Sequence, residues 1–186
     1  MQGQVVSVNV SPGGVPKRPV ASAWIGRLGL DTDAHTEPPP THGGPEQAVC
    51  LYAAEAIARV AADGHQAFPG AFGENLTLEG IDWGSVRPGD VLTIGEDGLT
   101  LELVAHAAPC QTIAHWFVER RIARISPSVH PEDARWYARV LVEGRVKPGD
   151  RVDVEPADAG LAEAVGQPGR AAVGMQVRPS LADRPH

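Results

Sequence analysis

Leu99-Thr100-Leu101-Glu102-Leu103-Val104 leads, three residues on, into Ala107-Ala108-Pro109-Cys110-Gln111-Thr112. The first stretch alternates apolar and polar residues, the period of a strand with one buried face. Beyond Thr112, Ile113, Trp116, Phe117 and Ile122 recur at helical spacing, which predicts a helix over Thr112–Ala123. Cys110 would then stand where a strand ends and a helix begins. The first turn of a helix carries unpaired N–H groups and a partial positive charge. Such a position favours thiolate over thiol and makes cysteine a better nucleophile or soft-metal ligand. The competing reading is a small buried cysteine that fills a gap.

The strand signal extends outward on both sides. Gln4–Val10 alternates and reads as a strand closed by Ser11-Pro12-Gly13-Gly14, and Val20–Ile25 reads as a second. Ala48–Tyr52 is a short apolar run, a buried strand that places Cys50 among packed neighbours. Ala53–Asp63 is alanine-rich and ends at Gly64, which predicts a helix with Ile57 and Val60 inward. Val86-Arg87-Pro88-Gly89-Asp90-Val91 and Val146-Lys147-Pro148-Gly149-Asp150-Arg151 repeat one pattern, a Pro-Gly turn before an alternating strand. Arg135–Glu143 alternates Trp136, Ala138, Val140 and Val142 against Tyr137, Arg139 and Leu141. Many short strands joined by Gly- and Pro-rich turns predict a mainly β domain over residues 1–155. Residues 156–186 are rich in Ala, Gly, Pro and Arg and read as a tail, with a brief helix near Leu161–Val165.

Charge and composition exclude several classes. The net charge of −7, with no basic run, argues against nucleic acid or an anionic membrane as partner. No apolar run approaches the length of a membrane span, and Met1–Val10 lacks the plan of a signal peptide, so a cytoplasmic protein is expected. Cys50 and Cys110 form no CxxC motif and read as free thiols in a reduced compartment.

Chemistry-bearing residues gather between the second strand and the Ala48 run. Asp31, Asp33, His35, Glu37 and His42 fall in one long polar loop, the kind of loop that is often functional. Helical zinc-ligand spacing is absent, so direct zinc ligation is not expected. Gly43 and Gly44 allow close approach of backbone to a ligand. Lys17 lies in a loop between two prolines, and Asn75 stands at the mouth of a strand, able to donate and accept together.

Four stretches together resemble the MOSC family, named after the C-terminal domain of molybdenum cofactor sulfurases. They are Gly29–His35, His42-Gly43-Gly44-Pro45-Glu46-Gln47-Ala48-Val49, Ala71-Phe72-Gly73-Glu74-Asn75-Leu76 and Pro109-Cys110. Trp136-Tyr137-Ala138-Arg139-Val140-Leu141 with Gly149-Asp150 is similar to the stand-alone YiiM-like branch in particular. The resemblance covers about residues 4–155 and implies an antiparallel β-barrel of the MOSC, pyruvate-kinase-barrel-like kind with a few short helices. It implies binding of the molybdenum cofactor (molybdopterin), with no pyridoxal phosphate. Cys110 is the implied molybdenum ligand, and a low-pKa thiolate is a fitting soft donor.

On that resemblance the expected activity is detoxifying reduction of N-hydroxylated compounds such as 6-hydroxylaminopurine. Cys110, Asp33, His35 and His42 would be catalytic, and Lys17, Gly43, Gly44, Asn75 and Cys110 cofactor-binding. No flavin or iron–sulfur signature is present, so electrons would come from a partner protein. A homodimer is compatible with this reading. The alternatives are a sulfur carrier or cofactor-transfer module using a Cys110 persulfide or thiolate, and a barrel that binds another small ligand. The chain departs from the family pattern at Thr32-Asp33, where Gly-Asp is usual. It departs again at Ala107-Ala108, where many members carry arginine before Pro-Cys.

Overall fold

A computed structural model gives the structure of the chain and describes residues 1–34 and 43–157. The strands are β1 (Gln2–Val10), β2 (Arg18–Val20), β3 (Ala23–Gly26), β4 (Gly29–Leu30), β5 (Val49–Ala53), β6 (Leu76–Glu79), β7 (Val91–Ile94), β8 (Leu99–Ala107), β9 (Arg135–Val142), β10 (Gly144–Val146) and β11 (Arg151–Glu155). Among the described residues one α-helix, α1 (Ala54–Ala62), follows β5 directly.

Seven strands close on themselves in the order β11-β7-β8-β9-β5-β6-β1, and β1 pairs back onto β11. Closure removes the exposed sheet edge that an open sheet would present. β2 extends β1, and β10-β3-β4 form a separate small sheet. The fold is thus the mainly β barrel that the alternating strands predict. One pairing departs from the antiparallel expectation: β5 and β6 run parallel, Leu51 opposite Leu76. The crossover through α1 returns the chain in the same direction, as a βαβ connection must.

Alternation fills the interior. Leu51, Leu76, Leu78, Leu92, Ile94, Leu99, Leu101 and Leu103 are wholly buried, and Trp136, Ala138 and Val140 join them from β9. α1 covers one side with Ala56, Ile57 and Val60. In β1 the register slips between Val5 and Ser7, so Val5 and Val8 both reach the core while Val6 is exposed. Such a bulge turns successive side chains to new faces, and simple alternation misses it. The repeated Pro-Gly turns share one design. Asp90 accepts from the Arg87 N–H at 2.8 Å and Asp150 from the Lys147 N–H at 2.9 Å. They launch β7 and β11, which pair with each other.

Two expectations are corrected. Val20–Ile25 is not one strand: β2 joins the barrel, while β3 belongs to the small sheet. Thr112–Ala123 is not one helix. It is broken into 3-10 turns at Gln111–Trp116, Val118–Arg120 and Ile122–Ile125. Phe117 between the first two is extended, and Glu119 and Arg120 have positive φ. Extended backbone lets Phe117 stack on Phe72, with ring centroids 4.9 Å apart. Aromatic packing has overridden a helical pattern that the sequence carries only weakly.

Candidate functional site

Cys50 on β5 lies directly opposite Tyr137 on β9. Opposed residues share a face, and Arg135, two positions before Tyr137, shares it too. This is the face turned away from Leu51, Trp136 and Ala138, and it lines a cavity of about 180 Å³. Its other walls come from Gly14, Val15 and Lys17 after β1, from Ala34 and Gly43, from Phe72 and Gly73, and from Cys110, Thr112 and Ile113. The cavity therefore lies outside the barrel, where the C-terminal end of β8 and the N-terminal end of β9 meet the loops.

Cys110 is half-buried and free. It precedes a six-residue 3-10 turn rather than an α-helix. A short 3-10 turn has no comparable aligned array of peptides, so Cys110 lacks the helix N-terminus expected for it. Cys50 is packed as expected, 6% exposed, and burial pushes its thiol pKa up. It nevertheless borders the same cavity as Cys110.

Lys17 is buried and ion-paired with Asp33. Asp33 also accepts from the Ser11 N–H and from Asn75 Nδ2, both at 2.8 Å. Asn75 is engaged at both ends of its amide. Its Oδ1 accepts from the Cys50 N–H at 3.0 Å, and its Nδ2 reaches the Asn9 carbonyl at 3.4 Å as well as Asp33. Asp33 and Asn75 thus stand behind the wall, not on it, and they fix Lys17 and β5. Gly44 also lies off the wall, while Gly43 is on it. His35 and His42 lie outside the described residues. The cavity gathers Lys17, Gly43 and Cys110 from the expected set.

Nothing in the sequence pattern singles out Arg135 as a site residue, although its place at the strand start, two residues before Tyr137, marks it for the non-core face. It is 6% exposed. Its Nη1 donates to the Phe72 carbonyl and its Nη2 to the Ala108 carbonyl at 3.2 Å, so it fastens the turn before Cys110. Its Nε is buried without a partner. Glu74, wholly buried, supports the Phe72–Gly73 wall by accepting from the Gly70 N–H at 2.6 Å and the Phe72 N–H at 3.3 Å. Burial pushes its carboxyl above the usual glutamate range. Tyr137 is likewise pushed up to about 12, first by burial and then by the neighbouring Cys50.

A barrel bearing a free cysteine at the end of one strand, with glycine-rich loops around it, is the arrangement the sequence motifs pointed to. The MOSC domain profile matches residues 38–153, well over half of the chain. The chain belongs to the MOSC domain family. It is 31% identical over 153 residues to YflK of Bacillus subtilis (strain 168), covering 76% of this chain and 62% of that protein. It is 30% identical over 123 residues to YiiM of Escherichia coli (strain K12), covering 64% and 53%. The chain therefore spans less than two thirds of either relative. Among solved structures, YiiM from Geobacillus stearothermophilus superposes with a TM-score of 0.65 at 25% identity, covering 85% of this chain and 77% of that one. YiiM from Escherichia coli gives 0.59 at 22%, a likeness of fold. No helix among the described residues is long and apolar enough to cross a membrane.

Proposed function

We propose that the cavity holds the molybdenum cofactor and that the protein reduces N-hydroxylated compounds, of the 6-hydroxylaminopurine kind, with electrons from a partner protein. The observation that carries the reading is the Cys110 thiol, free and half-buried on the wall of a cavity in a MOSC domain. The wall suits such a group. Cys110 is a soft donor. Arg135 brings an orphaned buried N–H. Gly73, at φ +84°, leaves open the space that a Cβ would fill within 3.2 Å of Val15.

In this reading Cys110 would hold the metal. Lys17 and the bare backbone of Gly43 would border the pterin. The bound cofactor would supply two-electron chemistry at the N–O bond. The protein's own part is to position and enclose. Asp33 and Asn75 hold Lys17 in place, Arg135 fixes the Ala108 carbonyl beside Cys110, and Phe72 and Ile113 exclude water with apolar surface. His35 and His42 are the proposed carriers of protons.

Protein purified from a host that makes the cofactor should contain molybdenum by elemental analysis. It should turn over 6-hydroxylaminopurine when a reductant is supplied. Cys110→Ser should lose the metal while keeping its fold, because a hydroxyl is a poor soft-metal ligand. Full molybdenum content in that variant would overturn the assignment. A Cys110 persulfide on a metal-free wild-type protein would favour the sulfur-carrier alternative.

A further inference from the structure

We propose that Cys50 and Cys110 form a redox couple across the cavity: a hydroperoxide oxidises Cys110, and Cys50 captures the oxidised sulfur as a disulfide. The chemistry stands on the two thiols and the wall they share. Only its consequence, control over whether the cavity can take a soft metal, rests on the reading above.

The metal-binding role of Cys110 leaves Cys50 without a task, yet both are free thiols and both border one cavity. Cys50 faces Tyr137 across the β5–β9 ladder, and Tyr137 borders the cavity too. Tyr137 lies near enough to both cysteines for each to bear on its ionisation. Arg135, on the same face, reaches the Ala108 carbonyl at 3.2 Å, two residues before Cys110. The chain beyond β8 therefore turns back over the face that carries Cys50, and Thr112 and Ile113 continue the wall. The two sides differ in how they are held. The Cys50 N–H donates to Asn75 Oδ1 at 3.0 Å, and its carbonyl accepts from the Asn75 N–H at 2.7 Å, so β5 is clamped there. Cys110 lies beyond the end of β8, after a proline that has no N–H to extend a ladder. Its carbonyl accepts from the Ile113 N–H at a longer 3.3 Å. A disulfide needs Cα atoms about 4.4–6.8 Å apart, and the Cys110 turn is the side that moves to meet that demand.

Accessibility sets the order of events. Cys110 is half-buried and Cys50 is 6% exposed, so an oxidant from solvent meets Cys110 first. The Cys110 sulfur attacks the O–O bond of the hydroperoxide. It takes one oxygen as a sulfenic acid, and the other oxygen leaves as water or an alcohol. The Cys50 sulfur then attacks the Cys110 sulfur. The S–S bond forms, the S–O bond breaks, and the hydroxyl departs with the Cys50 proton as water. Two electrons have then passed from the thiol pair to the peroxide. A sulfenic acid with a second thiol at hand stops at the disulfide, whereas without one it goes on to sulfinic acid, which thiols do not reverse. Exchange with a small thiol returns both cysteines and oxidises that thiol to its own disulfide. While the bond stands, Cys110 offers no thiolate to a metal.

The test treats the full chain, metal-free and reduced, with hydrogen peroxide, then digests it without reductant for peptide mass spectrometry. Wild-type protein should yield a peptide pair linked through Cys50 and Cys110, and dithiothreitol should restore both thiols. In Cys50→Ala the Cys110 sulfenic acid should instead be trapped by dimedone. Without the trap, the Cys110 thiol recovered by dithiothreitol should fall several-fold below that of the wild type, because it has passed to sulfinic acid. Wild-type protein that shows Cys110 sulfinic acid, or Cys110 joined to Cys110 of a second copy, with Cys50 still a free thiol, would overturn the proposal. So would equal recovery of Cys110 in Cys50→Ala and wild type. Should Cys50→Ala fail to fold, the linked wild-type peptide alone decides. The linked peptide in a protein that never acquires molybdenum sustains this inference while the cofactor reading fails. Molybdenum lost on Cys110→Ser, with no linked peptide from the metal-free wild type, sustains that reading while this one fails.

Discussion

Cys50 and Cys110 border one cavity but differ in accessibility. Cys50 is nearly sealed and its pKa is raised by burial, whereas Cys110 is half-exposed on a turn. An alkylating reagent near neutral pH should therefore modify Cys110 well before Cys50, which peptide mass spectrometry resolves. Faster labelling of Cys50 would contradict the described packing. The chain has two tyrosines, and both are buried enough to resist ionisation: Tyr137 is pushed up to about 12 and Tyr52 further still. The unfolded chain should release its tyrosine protons near the ordinary value of about 10. Between those pH values the native state holds more protons than the unfolded state, so stability is full below about pH 10 and falls as pH rises. Tyrosinate absorbance should accordingly appear in unfolded protein at a pH where native protein shows none, and the urea midpoint should drop over the same range. Arg135 shows why such residues escape notice in a sequence. An arginine opening a strand resembles an ordinary solvated charge until the packing around it is known.

The longer barrel strands, α1 and the two Pro-Gly turns are legible because each follows from local rules of period and turn chemistry, whereas the short strands β2, β3, β4 and β10 are not. Nor is the segment 111–125, because its shape answers to a distant ring. Phe117 is 4% exposed and stacks on Phe72, which itself lines the cavity. Phe117→Ala should cost roughly 3–5 kcal/mol of stability, as large-to-small core changes do. It should also loosen the segment after Cys110, so alkylation of Cys110 should quicken while Cys50 stays slow. An unchanged Cys110 rate would mean that the turn is held by Arg135 alone. A second anchor lies at the far end of the same segment. Asp133, 2% exposed, accepts from Arg59 of α1 and from Arg124, tying the helix to the approach of β9. Long-range partners of this kind leave no period in the sequence. The β1 bulge belongs here too, since the slip between Val5 and Ser7 is set by pairing with β6.

At the scale of the whole molecule, barrel closure joins the beginning of the domain to its end. The Met1 ammonium donates to the Val154 carbonyl at 2.9 Å, the Val154 N–H donates to the Met1 carbonyl at 2.8 Å, and Gln2 faces Asp153. The order of the chain is then a matter of where a ring is cut. A circular permutant, with the stretch after β11 linked to Met1 by a few glycines and serines, keeps every pairing. Its new termini belong in the exposed Glu96-Asp97 turn between β7 and β8. β8 carries the chain nine residues away from that turn before reaching the cavity, roughly 30 Å along an extended strand. Cuts at exposed turns with adjacent original ends are the ones that folds tolerate. The permutant should give the circular dichroism of the parent and the same order of cysteine labelling. Its cavity would be rebuilt by a chain that reaches Cys110 early and Cys50 late, which separates the geometry of the site from the order in which its residues are made.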